Sequence, residues 1–258
     1  MGVINLTPDS FSGDGLVNHP EEALSRAMEF ELGGADIIDV GAHSTRPGHM
    51  TLSDDEELSR LLPVLNTIVS NVKIPVSVDT YKSSIAKEAL GVGVSIINDV
   101  WGLKADDKIA EVAAEFRVPV ILMHNQSTTE YNDLVANVIR SLKASVDQAL
   151  QAGVSPDNII IDPGIGFGKT ADHNLEILRR LREFSALGFP MLVGTSRKST
   201  IGLVLDLPVD QRLEGTAATV ALSVAGGADI VRVHDVKEMV RVVKMSDAII
   251  RSWRPEDW

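Results

Sequence analysis

The chain has 258 residues, of which 44% are hydrophobic and 23% charged, a balance that supplies a full core and excludes disorder. Its formal charge of −12 argues against non-specific nucleic-acid binding, and the absence of cysteine excludes disulfides, thiolate metal sites and cysteine nucleophiles. No uncharged apolar run approaches the roughly 18 residues of a membrane span, and the N-terminus lacks a signal-like stretch, so no membrane partner and a cytoplasmic location are expected.

Along the chain, short runs rich in Val and Ile alternate with longer amphipathic stretches. The runs fall at residues 2–6, 35–42, 74–80, 94–100, 119–124, 158–164, 190–196 and 228–235. Their near-continuous hydrophobicity predicts buried parallel strands covered on both faces. The stretches between them have helical spacing, as in Leu24, Ala27, Met28 and Leu32. Helix starts are expected at Asn18-His19-Pro20-Glu21 and Ser53-Asp54, and helix ends at Gly33-Gly34, Gly91, Gly153, Gly188 and Gly226-Gly227. Eight strand-then-helix units at roughly 30-residue spacing predict a single α/β domain over residues 1–258, a (β/α)8 TIM barrel. A doubly wound open sheet competes, but it would show fewer strands and a Gly-rich first turn. Barrels usually have their bottom closed, so a further segment ahead of Met1 is expected.

Each run ends in polar residues: Asn5, Asp39 through His43, Asp79, Asn98-Asp99, His124, Asp162, Ser196, and Arg232 with His234. In a barrel these positions surround the mouth at the carboxyl ends of the strands. Any one of them alone could simply hold a neighbouring loop; the whole ring predicts a ligand site. Alternation points Asn98 and Asp99 to opposite sides, with Asp99 the structural one. Arg232 and His234, two apart on a strand, share a face and read as an anion clamp. Asp79, Asn98 and Asp162 suit a flat heterocycle bearing amino and ring N–H donors. Paired carboxylates for hydrolysis or a metal rank lower, since there is no HExxH, helical His pair or Walker loop.

Three loops complete the pattern. Asp162-Pro-Gly-Ile-Gly-Phe-Gly-Lys169 brings backbone close to a ligand and offers the flat face of Phe167. Gly194-Thr-Ser-Arg-Lys-Ser199 follows the seventh strand, where barrels often bind phosphate. Ser44-Thr-Arg-Pro-Gly48 could fold over the mouth as a lid.

These residues carry a resemblance. Met1-Gly-Val-Ile-Asn-Leu-Thr-Pro-Asp-Ser-Phe-Ser12, Ser44-Thr-Arg-Pro-Gly48, Val78-Asp-Thr-Tyr-Lys82, Ile97-Asn-Asp-Val100, Asp162-Pro-Gly-Ile-Gly-Phe-Gly168, Ser196-Arg-Lys-Ser199 and Arg232-Val-His-Asp235 stand in family order over nearly the whole chain. The chain resembles the dihydropteroate synthase family, folate-pathway enzymes targeted by sulfonamides. The resemblance implies a barrel that condenses 6-hydroxymethyl-7,8-dihydropterin diphosphate with p-aminobenzoate. The products are 7,8-dihydropteroate and pyrophosphate, formed by an SN1-like route with Mg2+. It also implies a homodimer.

By the same resemblance, Asp162, Lys198, Arg232 and His234 are catalytic. Asp79, Asn98, Asp162, Lys198, Met123 and Gly194 bind the pterin. Asn5, Thr45, Arg46, Arg232 and His234 bind the diphosphate, and Asn5 is linked to the metal. Phe167, Ser199, Pro47 and Phe11 form the p-aminobenzoate pocket. The chain departs from the family at His43, where Glu is usual, at Gly13-Asp14, which inverts Asp-Gly, and at Asn125-Gln126. A pterin-barrel methyltransferase is the second enzyme reading, disfavoured by the cation-rich anion site. A pterin-binding paralogue without turnover is the non-enzyme reading.

Overall fold

A computed structural model describes residues 1–6, 20–42 and 53–255. The strands β1 (Gly2–Asn5), β2 (Ile38–Gly41), β3 (Val76–Asp79), β4 (Ile96–Asp99), β5 (Val120–Met123) and β6 (Ile159–Asp162) lie side by side in chain order, all parallel. β7 (Leu192–Val193) pairs in parallel with β8 (Ile230–Val231). Single parallel bridges, Ile161 to Met191 and Gly2 to Val233, join the two sheets at both seams. At the β8–β1 seam the Val3 N–H donates to Val233 O at 3.1 Å and the Val233 N–H donates to Met1 O at 2.9 Å. The ring of strands therefore closes, as a (β/α)8 barrel requires.

Around it run α1 (Pro20–Leu32), α2 (Asp54–Asn71), α3 (Ser83–Gly91), α4 (Lys108–Phe116), α5 (Leu134–Gln151), α6 (Ala171–Arg179), α7 (Ser199–Leu205), α8 (Leu213–Ala225) and α9 (Val236–Ile250). The one-helix-per-strand expectation needs one correction: two helices, α7 and α8, separate β7 from β8. α3 ends at Gly91 as expected, but the left-handed residue that follows is Gly93, at φ 102°. The start at Ser53 is local chemistry. Its hydroxyl accepts from the Glu56 N–H at 3.3 Å, and the Glu56 carboxylate accepts from the Ser53 N–H at 3.2 Å, a reciprocal capping box. Among the described residues, no helix is long and apolar enough to cross a membrane.

The period of two along each strand separates two environments. Ile4, Ile38, Val40, Val78, Ile97, Leu122 and Ile161 point outward and pack with helix residues such as Ala27, Phe30, Leu65 and Ile85. Gly2 faces the same way, and a Cβ there would lie 2.5 Å from the Phe30 ring, so glycine lets α1 close on β1. Met1, Ile96, Ile121 and Leu192 form a separate inner cluster with Ile37, Ile160 and Ile230. Two positions further along these strands stand Asp39, Asn98, Met123, Asp162, Gly194 and Arg232. The barrel thus has an apolar floor and a polar mouth.

Candidate active site

Arg232 organises one side of the mouth. Its Nε donates to Asp39 Oδ2 at 2.7 Å and its Nη2 to Asp79 Oδ2 at 2.9 Å. Asp39 is fully buried and also accepts from Asn98 Nδ2 at 3.1 Å, while its Oδ1 has no partner among the described residues. Holding Nδ2 fixes the Asn98 amide and leaves its carbonyl oxygen as an acceptor. Burial pushes the Asp79 carboxyl up to about 7, with help from the charges of Asp39, Glu57 and Asp99; Arg232 opposes the rise. Asp99 faces away, as alternation predicts: its carboxylate accepts from the N–H groups of Trp101 and Leu103 at 2.9 and 2.6 Å and shapes that turn.

Asp162 stands across the mouth on β6. Its Oδ1 accepts from the Gly164 N–H at 2.7 Å, and Oδ2 has no bond to a described residue. Burial raises its pKa, and Lys198, the Gly164 N–H, Lys169 and Arg232 oppose that rise. Lys198 reaches back over the β6–α6 loop. Its ammonium donates to Ile165 O and lies 4.7 Å from the centre of the Phe167 ring. Burial brings it down to about 8, with Asp162 pulling the other way. A Cβ on Gly166 would come within 3.0 Å of the Lys198 stem, so glycine gives the side chain its path.

The two neighbouring cations after β7 do not act together. Arg197, with φ 57°, turns outward and its Nε binds Asp235 Oδ2 at 3.0 Å, while Lys198 turns inward. Likewise Arg232 and His234 have different partners, because β8 ends at Val231: Arg232 joins the carboxylates and His234 Nδ1 lies 2.9 Å from Ser196 Oγ. Met123 and Gly194 are buried in the interior register, Asn5 is half-buried at the end of β1, and Ser199 is exposed at the start of α7. Phe11, Thr45, Arg46 and Pro47 lie outside the described residues, as do His43 and Gly13-Asp14.

Sequence reasoning placed Asp39 and His124 in the ring of polar strand ends and Lys169 in the loop after the sixth strand, but gave none of the three a role in the site. Asp39 anchors both Asn98 and Arg232, and its signal was a carboxylate inside an otherwise apolar strand. His124 and Lys169, buried together with Nδ1 and Nζ 2.8 Å apart, carried no spacing that could pair them.

The geometry meets its relatives here. Residues 1–234 match the family described as pterin binding enzyme. The chain is 53% identical over 250 residues to the dihydropteroate synthase of Bacillus subtilis (strain 168), covering 97% of this chain and 88% of that one. It superimposes with a TM-score of 0.93 on a dihydropteroate synthase from Clostridium difficile, crystallised in the presence of pteroic acid, at 48% identity over 97% of this chain and 96% of that one. The dihydropteroate synthase of Xanthomonas albilineans with 4-aminobenzoic acid superimposes with a TM-score of 0.92, at 37% identity over 99% and 93% of the two chains. This chain belongs to the pterin-binding enzyme family. Within it, the chain stands among the dihydropteroate synthases, transferases of folate biosynthesis.

Proposed function

We propose that the chain condenses 6-hydroxymethyl-7,8-dihydropterin diphosphate with p-aminobenzoate, giving 7,8-dihydropteroate and pyrophosphate by an SN1-like route. The observation that carries this reading is the convergence of Asp79, Asn98, Asp162, Lys198 and Arg232 on one mouth above an apolar floor. Relatives of this fold were crystallised with pteroic acid and with 4-aminobenzoic acid.

In this reading Asp162 Oδ2 accepts the pterin's amino and ring N–H groups, and the Asn98 amide and Asp79 border the ring. The C–O bond to the diphosphate breaks with its electron pair leaving on pyrophosphate. Positive charge spreads into the pterin beside the Asp162 carboxylate, whose negative form is supported by Lys198, Lys169 and Arg232. Arg232 and His234 balance the departing negative charge. The arylamine nitrogen then attacks with its lone pair and releases a proton; an aromatic amine is neutral at pH 7, so no general base is required.

For Mg2+, the donor set is sparse: no group of three His, Asp or Glu among the described residues could hold a metal. That still fits Mg2+, which takes one or two protein oxygens and completes its shell with water and substrate phosphates. Asn5 would hold it beside the diphosphate, where the ion supplies charge neutralisation. We further infer a homodimer, supported by apolar side chains that α7, α8 and α9 leave exposed, among them Leu203, Leu222, Met245 and Ile249.

Purified protein mixed with both substrates and Mg2+ is expected to release pyrophosphate and dihydropteroate in equal amounts, and EDTA to stop turnover. No product under conditions where a known synthase works would refute the reading.

A further inference from the structure

Beneath the β6–α6 loop lies a buried lysine that the reaction above does not use as a contact. Lys169 is 9% exposed, its Nζ lies 2.8 Å from His124 Nδ1, and it donates to the Phe167 carbonyl at 2.9 Å. His124 is itself 2% exposed, and burial, then the positive charges of Lys169 and Lys104, keep its ring neutral, so Nδ1 accepts and the ring proton sits on Nε2. The loop is pinned at two further points: Tyr131 Oη donates to Gly168 O at 2.7 Å, and the Gly166 N–H donates to Asn174 Oδ1 at 2.8 Å. No carboxylate among the described residues forms an ion pair with Lys169. Burial brings the Lys169 pKa down to about 7; Asp162 on β6 opposes the fall, and Lys198 before α7 and Lys104 after β4 add to it. Burying a lysine amine without a direct counter-charge is costly in either protonation state, and an apolar side chain would fill the same space at less cost.

We propose that Lys169 is a positioning residue: by gripping the Phe167 carbonyl and the His124 ring together, it fixes the seat of the Phe167 ring, on which Lys198 lies, and so shapes the side of the mouth that receives the arylamine. This rests on the functional reading above, in which Phe167 borders p-aminobenzoate.

The test compares steady-state kinetics of wild type, Lys169→Met and Lys169→Arg, with a thermal melt to verify folding. Lys169→Met is expected to raise KM for p-aminobenzoate about tenfold, the effect of one charge-assisted hydrogen bond, and Lys169→Arg to recover part of it. KM for the dihydropterin diphosphate and kcat are expected to change less than the arylamine KM, since Lys169 acts on Asp162 only through its field. An unchanged arylamine KM, or an equal rise for both substrates, overturns the assignment. Should Lys169→Met fail to fold, His124→Gln removes the shared acceptor and is judged by the same outcomes. If wild type makes no dihydropteroate, the functional reading fails by itself. Calorimetry with p-aminobenzoate and pteroic acid then decides Lys169: weaker binding to the variant supports it, and equal binding overturns it.

Discussion

At the scale of single residues, Arg232 has two duties. It bridges Asp39 and Asp79 and offsets the repulsion between them, and in the proposed reaction it balances the charge of the departing diphosphate. Removing it leaves two carboxylates close together, one of them fully buried, and breaking such a pair costs about 3–5 kcal/mol. Arg232→Ala is therefore expected to lower the melting temperature and to impair diphosphate-dependent turnover more than calorimetric binding of a bare pterin. Equal losses in both would contradict the clamp. His124 makes a different prediction. In the folded chain it stays neutral down to about 3, whereas unfolded histidine titrates at 6.5. The folded state therefore binds fewer protons between those values, and stability is lost as pH falls from 6.5 toward 3. His124→Gln should flatten the stability–pH curve there by up to about 1.4 kcal/mol per pH unit, read by denaturant titration at several pH values.

At the scale of elements, the β6–α6 loop is held by contacts that leave no space for a side chain. Gly164 has φ 72°, and a Cβ on it would lie 1.9 Å from His124 O. Gly164→Ala should destabilise the fold by at least about 2 kcal/mol and raise both substrate KM values, measured by chemical denaturation and kinetics. The loop's glycines were visible in the sequence, but the carbonyl that Gly164 presses against belongs to a different strand end. The start of α2 was legible because a capping box is written within four consecutive residues. The split of the β7–β8 connection into α7 and α8 was not, since its residues read as one amphipathic unit. The pairing of Arg197 with Asp235 was equally hidden, and it separates two cations that look like neighbours in a row.

At the scale of the molecule, three basic residues of this acidic chain, Arg232, Lys198 and Lys169, lie near the mouth and act together on the Asp162 carboxylate. Outside the barrel, Leu222 of α8 and Ile249 of α9 are 64% and 67% exposed. If a second copy covers them, Leu222→Glu should shift the protein from dimer to monomer in sedimentation velocity, and a wild-type monomer at micromolar concentration would end the homodimer proposal.

The sequence by itself determined the order of the strands, the helices that follow the first six, and the ring of polar strand ends, because each depends on near neighbours and a fixed backbone period. It also carried the family motifs. Only the tertiary structure decided that Arg232 grips carboxylates 193 and 153 residues away, and that Lys169 leans on a histidine 45 residues away. Those pairings come from closing the barrel, which brings distant strand ends within a few ångströms, and local periodicity contains no measure of that distance.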